Sequence, residues 1–314
     1  MHLLIAFAAP LSEGLRAALP QLALPALKGL LARWLEVHRD DDDENTLSMP
    51  HERALAAALG LAGADGGLPW AARQAALDGI EVGDRAWGLL TPAHWRVGSD
   101  GVHLADPDAL ALSEAESRTL FEAVAPLFES EGYQVAWGAA LRWYVAHDSL
   151  QGLATASLDR VVGRNVDAWL PRQREAKPLR RLQNEVQMLL HTHPLNDTRE
   201  AAGALPVNSF WLSGCGVRQM EAPNDIRFDD RLRAPALRDD GAAWCAAWQA
   251  IDADAIAPLL AAAQTGQGTE GLRLTLCGER SSATFAPRPQ AWWRRIADTL
   301  SPARPNARAI LESL

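Results

Sequence analysis

The chain has 314 residues, a formal net charge of −9 at pH 7 and a hydrophobic content of 48%. Its length suffices to bury one large core or two modest ones. The acidic balance argues against an extended nucleic-acid surface, because proteins that bind the phosphate backbone usually carry a basic face. Three cysteines lie far apart without a Cys-x-x-Cys pair, which indicates free thiols in a reducing, cytoplasmic compartment rather than a disulfide framework or a structural zinc site.

The amino-terminal region predicts a strand followed by helices. The apolar segment 1–7 has no positively charged leader and is too short to span a membrane, so we expect a buried first strand and no membrane partner. Apolar residues at helical spacing over 11–37 predict helical structure, interrupted by Pro20 and Pro25. The acidic run 40–44 lacks the ligand alternation of a calcium loop and predicts a solvated loop.

A helix and a hairpin are predicted next. Proline in the first turn and glycine at the end mark a helix over 50–60. Residues 86–104 alternate short apolar groups with glycine and proline, which favours extended structure. The Asp100-Gly101 pair supplies the backbone freedom that a tight hairpin turn needs.

A capping box predicts the longest helix in the middle of the chain. Ser113 is followed three residues later by Glu116, and apolar residues then recur at helical spacing. We therefore expect a helix over about 114–130. Strands are expected at 133–137 and 141–146.

The carboxyl-terminal half predicts further helices and strands in alternation. Helical spacing over 178–191 places apolar residues on one side and polar residues on the other. Apolar runs predict strands at 206–213 and 272–277. A pair of helices is expected over 242–263, and a terminal helix near 290–300. Strands distributed among helices from start to end favour an α/β sheet protein.

Unusual residue types crowd into the stretch 184–216. The pattern predicts a helix that ends before Pro194, a polar loop with Asn196 and Arg199, and a strand that stops at Gly214. A backbone without Cβ can approach a ligand closely. Helix, polar loop, strand and glycine turn together are typical of a ligand-binding edge.

The density of polar groups in this stretch has two explanations. Arginine can grip a carboxylate or phosphate, and asparagine offers both a donor and an acceptor, which favours a pocket for a small anion. Alternatively, Asn196 forms a turn, Trp211 is buried and Asn208 satisfies strand ends. The sequence leaves both open. The candidate ligand-binding residues are Asn196, Arg199, Asn208, Trp211 and Ser213.

Two histidines at the end of the predicted helix are candidate metal ligands. His191 and His193 could bind zinc or another transition metal if Asp197 or Glu200 closed around them. Positions two apart on a helix point in different directions, so the chain would have to unwind after His191. The alternative is that both histidines interact with exposed carbonyls at the helix end.

A cationic segment precedes and enters the same helix. Runs of like charge are usually solvent-exposed faces, so we interpret it as a solvated face rather than an anion site. Its members are Arg172, Arg174, Lys177, Arg180 and Arg181.

Two segments of the 184–216 stretch carry a family resemblance. His193–Arg199 reads His-Pro-x-Asn-x-x-Arg, and Asn208–Gly216 reads Asn-x-x-Trp-x-x-Gly-x-Gly. This pair resembles the carboxyl side of the inserted domain in archaeal-type cofactor-independent phosphoglycerate mutases of the alkaline phosphatase superfamily. Over most of its length the chain is also similar to bacterial regulatory proteins of the RpfE type. The segments that carry this second resemblance are Leu90–Trp95, Arg142–Tyr144, Gly163–Asn165 and Asn184–Met188.

The mutase resemblance implies an architecture. It implies an α/β protein with an alkaline-phosphatase-like sheet core, intact or degenerate, formed from both ends of the chain. The core would comprise residues 1–105 and 206–314. A smaller inserted α+β domain would span 106–205, an ordinary size for a domain.

The same resemblance implies two divalent metals and a hydroxyl nucleophile. Two cations would bring together the attacking and leaving oxygens of phosphoryl transfer. Asp-Gly would then follow the first strand and Asp-His a late one. Here the first strand leads into Ala8–Pro10 and the late strand into Cys277–Arg280, where only Glu279 offers a hard oxygen. The sequence therefore predicts no complete metal site.

Ser48 and His51 are the candidates for a nucleophile and its base. A hydroxyl near an imidazole allows base-assisted attack in principle. The alternative is that a serine before a proline simply caps a helix. Spacing alone does not supply the geometry by which such pairs are recognised.

Three functional hypotheses follow from the sequence. The first is a non-catalytic regulatory pseudoenzyme that needs no cofactor and binds a small anionic ligand or a protein partner. The second is an active metal-dependent phosphoglycerate mutase or phosphatase with a clustered carboxylate site. Its ligands would come from Asp65, Asp84, Asp225, Asp229 or Glu279. The third is a purely structural interaction module, suggested by 12 tryptophans and the Trp292-Trp293 pair.

Overall fold

The computed structural model describes residues 1–223, 225–265, 271–287 and 307–314. The terminal helix predicted near 290–300, with Trp292 and Trp293, lies outside the described residues. The chain divides into two compact units. The first unit comprises Met1–Asn45, Met49–Leu59 and Ala222–Leu314, and the second comprises Thr46–Ser48 and Gly60–Glu221.

Strands and helices alternate along the described chain, which confirms the predicted α/β class. The strands are β1 His2–Ile5, β2 Trp34–Asp41, β3 Ala86–Ala93, β4 Trp95–Gly98, β5 Gly101–Leu104, β6 Gln134–Ala139, β7 Arg142–Ala146, β8 Ser209–Val217, β9 Ile226–Asp229, β10 Arg273–Cys277 and β11 Ser281–Pro287. The α-helices are α1 Glu13–Ala18, α2 Pro25–Leu31, α3 Pro50–Leu59, α4 Trp70–Leu77, α5 Glu114–Glu129, α6 Leu158–Val161, α7 Lys177–His191, α8 Pro194–Ala201, α9 Arg233–Leu237, α10 Gly241–Ile251, α11 Ala257–Thr265 and α12 Ala307–Glu312. A π-helical segment, Asp252–Ile256, joins α10 to α11.

The first unit contains a five-stranded sheet in the order β2-β11-β10-β1-β9. Strand β1 runs parallel to both β9 and β10, whereas β11 is antiparallel to β10 and β2. Because side chains alternate along a strand, Leu3 and Ile5 of β1 face one side of the sheet. They enter an apolar core with residues of α1, α2, α10 and α11, including Trp244 and Trp248. Helix α3 packs against β1, β10 and β11.

The second unit contains a four-stranded antiparallel sheet in the order β6-β7-β3-β8. Helices α5 and α7 contact this sheet and each other, and they share a core with Trp143 and Phe210. Helix α4 packs against β3 and β8, where Trp87 and Tyr144 belong to a second apolar cluster. Strands β4 and β5 form a separate hairpin. No helix among the described residues has the length and apolar character needed to span a membrane.

Elements with strong local signals lie where the sequence predicts them. Ser113 accepts the Glu116 N–H and Glu116 accepts the Ser113 N–H, so the capping box of α5 is present. The β4–β5 hairpin turns at Asp100-Gly101, with Gly98 paired to Gly101. The other confirmed elements are β1, α3, the β6–β7 pair, α7, the α10–α11 pair and β10.

Four local predictions are wrong. Residues 34–37 are not helical, because they belong to β2, which pairs with β11. Asp40 and Asp41 of the acidic run also lie in β2 rather than in a solvated loop. The expected polar loop after α7 is helix α8, since Pro194 occupies its first turn and His193 Nδ1 accepts the Leu195 N–H at 3.2 Å. Strand β8 does not stop at Gly214, which instead has a φ of 65° at an irregularity in the β3–β8 register.

The bounds of the two units differ from the domain division expected at 106–205. The second unit begins at Gly60 and ends at Glu221. The reason is that β3 lies between β7 and β8 in one sheet, which ties residues on both sides of the expected insertion to it. The first unit is nevertheless assembled from both ends of the chain.

Candidate functional site

The carboxyl ends of the parallel strands in the first unit are the expected position of a ligand or metal site. Ligands of open α/β sheets usually bind outside these ends. Strand β1 leads into Phe7, Ala8 and Ala9, all of them buried. Their side chains contain no oxygen or nitrogen, so this strand end cannot supply a metal ligand.

Strand β9 ends in a carboxylate that an arginine already holds. Asp229 is 5% exposed, and its two oxygens accept hydrogen bonds from Arg231 Nε at 2.9 Å and Nη2 at 2.6 Å. Arg231 also donates to both oxygens of Asp254, at 2.7 Å and 2.8 Å. Hydrogen bonds to Asp229 and Asp254 raise the pKa of Arg231. A permanent cation thus stands between the two carboxylates and would repel a metal ion.

The end of β10 is closed by buried groups. Burial raises the pKa of the Cys277 thiol, which keeps it protonated. A Cβ added to Gly278 would lie 2.5 Å from the carbonyl of Leu314, so a liganding side chain has no room there. The Leu314 carbonyl oxygen accepts the Ser281 N–H at 3.2 Å. Glu279 is half-buried beyond this contact.

The carboxylates required by the enzyme hypothesis do not form a metal site in the described parts of the chain. Asp65 accepts the backbone N–H groups of Leu47 and Ser48, both at 2.8 Å. Asp84 is exposed. Across residues 1–223, 225–265, 271–287 and 307–314, no group of three or more His, Cys, Asp or Glu side chains could hold a metal ion. The side chains present therefore do not fit the two divalent metals that the mutase resemblance implies.

Ser48 and His51 each have a structural environment. Ser48 lies in the second unit, where its Oγ accepts the Gly66 N–H at 2.8 Å. His51 lies in the first unit, with its ring centroid 5.3 Å from that of Phe7 and 6.0 Å from that of Phe228. Both side chains are buried. Ser48 thus binds the backbone at Gly66, and His51 packs against two phenylalanine rings; a catalytic role for the pair stays a prediction.

The Asn196 side chain braces the segment before β8. Its Nδ2 donates to the carbonyls of Leu190 at 2.8 Å and Val207 at 2.7 Å. Its Oδ1 accepts the Val207 N–H at 2.9 Å. Both amide hydrogens and the carbonyl oxygen are therefore bound to backbone, and the residue is buried.

Arg199 links α8 to the start of α5. The side chain is 4% exposed, and its Nε donates to the Leu205 carbonyl at 3.0 Å. Nη1 donates to Glu116 Oε1 at 2.6 Å, and Nη2 donates to the Leu110 carbonyl. Hydrogen bonds from Ser113 and Arg199 lower the pKa of Glu116. The capping glutamate of α5 thus also neutralises a buried arginine.

Asn208 and Trp211 also contact backbone. Asn208 Oδ1 accepts the Trp95 N–H at 2.7 Å, and its Nδ2 donates to the Trp95 carbonyl at 2.9 Å. Trp211 is buried and donates from Nε1 to the Ala156 carbonyl at 2.9 Å. Ser213, the fifth candidate, is buried in β8. The geometry of the other four residues favours bracing, and a ligand at this place stays a prediction.

The two candidate metal-binding histidines have different environments. His191 is exposed at the end of α7, whereas His193 caps α8 through Nδ1. Asp197 and Glu200 are exposed on α8. The cationic segment agrees with a solvated face: its five side chains are exposed, and Arg181 pairs with Glu131 and Glu185.

The structure brings together one cluster of polar side chains that the sequence did not predict. A cleft of about 630 Å³ lies between α3 and the sheet of the first unit, with His2, His38, Thr275 and Thr284 among its lining residues. Polar residues alternate with leucines in β10, which is a local signal for a two-faced strand. The partner residues come from distant segments, so spacing could not have found the group.

Comparisons with known proteins point to phosphoglycerate mutases. The chain is 28% identical over 128 residues to a probable 2,3-bisphosphoglycerate-independent phosphoglycerate mutase of Geobacter sulfurreducens. The aligned stretch covers 40% of this chain and 31% of that protein, so the chain matches about a third of the length of this relative. No protein-family model matches the chain.

Two solved structures are similar at 12% sequence identity. The cofactor-independent phosphoglycerate mutase from Thermoplasma acidophilum aligns with a TM-score of 0.37, covering 100% of this chain and 98% of that one. The PH0037 protein from Pyrococcus horikoshii aligns with a TM-score of 0.44, covering 91% and 87%. The Geobacter sulfurreducens relative and the Thermoplasma acidophilum structure are both described as phosphoglycerate mutases, while the resemblance to RpfE-type regulatory proteins stays a prediction.

Proposed function

We propose that this chain is a non-catalytic regulatory protein on a degenerate phosphoglycerate-mutase-like scaffold of the alkaline phosphatase type, and that it acts by binding. The scaffold is supported by the sequence match to the Geobacter sulfurreducens protein. The loss of catalysis is supported by one observation above all. Arg231 holds Asp229 and Asp254 at the carboxyl edge of the parallel strands.

The Arg231 contacts oppose metal-dependent phosphoryl transfer for an electrostatic reason. Two-metal chemistry needs several hard oxygen ligands around each cation. A guanidinium is charged at all working pH values and fills the space that a divalent ion would need between the carboxylates. The apolar end of β1 adds no ligand to compensate.

The test of this proposal is turnover by the purified full chain with added manganese. We expect no conversion of 3-phosphoglycerate and no release of phosphate from phosphomonoesters above a buffer blank. Turnover that follows the folded protein through purification and disappears in a Ser48→Ala variant would overturn the proposal. A Ser149→Ala variant, at another polar position of the second unit, is the matched control.

The active-enzyme hypothesis is the second candidate, and the similarity to the Geobacter sulfurreducens protein, a probable phosphoglycerate mutase, favours it. It requires that metal ligands assemble from carboxylates that each bind other protein groups here, such as Asp65 and Asp229. The same assay separates the two hypotheses, because only the enzyme predicts turnover that depends on manganese and is removed by EDTA.

A further inference from the structure

A polar cleft lies on one face of the first unit's sheet, under helix α3. Its volume is about 630 Å³, within the range of roughly 300–1,000 Å³ typical of small-molecule sites. All of its lining residues belong to the first unit. The face opposite Leu3 and Ile5 forms its floor, so the cleft is separate from the apolar core.

The floor of the cleft is a hydrogen-bonded row on three strands, β1, β10 and β11, beside His38 of β2. The register places Thr275 of β10 beside Thr284 of β11, and Thr284 beside His38 of β2. The two threonine hydroxyls lie 2.8 Å apart, and His2 Nε2 lies 2.7 Å from Thr275 Oγ1. Thr275 is 1% exposed. Buried hydroxyls are costly unless they are hydrogen-bonded, and this row satisfies that requirement.

The opposite wall of the cleft is made of small side chains. Helix α3 presents Ala54, Ala57 and Ala58 toward the sheet. A helix packed on a sheet usually fills such a space with large apolar groups. The cleft therefore has alanine side chains on one wall and hydroxyl or imidazole groups on the other, so only one of its walls is polar. Such a space suits water or a polar ligand rather than an aliphatic one.

The two ends of the cleft differ in charge. At one end Arg53 is neutralised by Asp40, with Nε 2.7 Å from Oδ2. At the other end Arg273 is exposed on the same face as Thr275, two residues before it. Burial and the charge of Arg273 lower the pKa of His2 to about 4. Asp225 borders this end, but its side chain is 81% exposed and lies 3.7 Å from the amino terminus.

We propose that this cleft binds a small hydroxylated organic anion, with its anionic group at Arg273 and its hydroxyls on Thr275 and Thr284 of the row and on Ser282, which also lines the cleft. The site rests on the proposed binding function and gives it a place and a ligand class. An anion at Arg273 forms charge-assisted hydrogen bonds, which are stronger than neutral ones. Threonine and serine hydroxyls can both donate to and accept from the hydroxyls of the ligand.

The test is isothermal titration of the full chain with sn-glycerol 3-phosphate, D-glycerate and inorganic phosphate. We expect sn-glycerol 3-phosphate and D-glycerate to bind more tightly than inorganic phosphate, because only they reach the hydroxyl row. Arg273→Gln should weaken binding by about tenfold or more, equal to about 1.4 kcal/mol. Arg227→Gln changes another exposed arginine, on the opposite face of β9, and should leave binding unchanged.

A second variant tests the cleft without touching its charges. Ala54→Leu places a larger side chain in the space and should abolish binding while the melting temperature stays close to that of the parent. Absence of binding by all three probes would overturn the proposal. So would equal losses in Arg273→Gln and Arg227→Gln, or undiminished binding in Ala54→Leu. Turnover with manganese would overturn the non-catalytic function and leave these binding results interpretable by themselves.

Discussion

The two units use buried polar side chains differently. In the second unit Asn196 directs its donors to backbone carbonyls, and Arg199 directs its donors to two backbone carbonyls and the Glu116 carboxylate. In the first unit Thr275 and Thr284 hydrogen-bond each other along the floor of a cleft. Polar density in a short stretch of sequence therefore marks a braced connection here. The polar cleft is assembled from residues far apart in the chain.

Breaking the Arg199 contacts should have the largest effect on stability. Arg199→Met removes the donor to the Glu116 carboxylate and the two donors to the backbone carbonyls of Leu110 and Leu205. We expect a loss of about 3 kcal/mol in the free energy of unfolding, the lower end for a broken buried ion pair. Urea denaturation measures it. Arg180→Met, at an exposed position of α7, is the matched control and should change stability by less than about 0.5 kcal/mol. A small loss in Arg199→Met would show that these contacts do not brace the unit.

Asp78 offers a second test of bracing in the second unit. It accepts hydrogen bonds from Arg142 Nε at 2.8 Å and Tyr144 Oη at 2.6 Å. Asp78→Asn should cost about 2 kcal/mol, as for hydrogen bonds to a charged group. Tyr144→Phe keeps the ion pair and should cost less.

The pH dependence of the Asp78 contribution has a definite sign. Burial by itself would raise the pKa of Asp78. Hydrogen bonds from Arg142 and Tyr144 outweigh burial and hold this pKa below its usual value of 3.8. The unfolded state therefore binds the proton first, so the contribution is present above pH 3.8 and is lost as pH falls through the folded pKa. Denaturation curves between neutral and acidic pH should converge for the parent and Asp78→Asn. A constant difference would contradict this account.

Local sequence patterns predict single helices and strands, but they do not predict which strands pair when the strands are far apart in the chain. Ser113 and Glu116 are three residues apart and marked the start of α5. Strand β11 was missed because its serines resemble a turn, and its strand character depends on pairing with β2. Asp229 is a candidate metal ligand in the sequence, and Arg231, which holds it, lies only two residues later. The contact of Arg231 with Asp254, 23 residues further along, depends on an approach of two elements that sequence spacing does not encode.

In the first unit, His2 provides a test of pH-dependent stability like that of Asp78 in the second unit. Burial and Arg273 lower its pKa from 6.5 to about 4. As pH falls, the unfolded state binds the proton before the folded state does. The free energy of unfolding should therefore decrease between about pH 6.5 and about pH 4 and stay constant below that. The side chain is only partly buried, so after solvent screening we expect a decrease of about 1 to 2 kcal/mol. Thermal melts of the parent and His2→Gln should differ in slope over this interval. Parallel slopes would contradict the buried, neutral state of His2.

Thr275→Val should have the smallest effect among these variants. The change keeps the β-branched shape and removes the hydroxyl that links His2 to Thr284. We expect a loss of about 1 kcal/mol in the free energy of unfolding. Binding of sn-glycerol 3-phosphate should weaken in parallel. A stability change without any change in binding would assign the row to packing alone.

The most direct test of the central claim is a calorimetric titration of manganese into the purified chain and its Asp229→Asn variant. The account predicts no saturable binding to either protein, because Arg231 occupies the carboxylates at the sheet edge. Stoichiometric binding to the parent that is lost in Asp229→Asn would contradict it and would restore the metal-dependent enzyme as the better hypothesis.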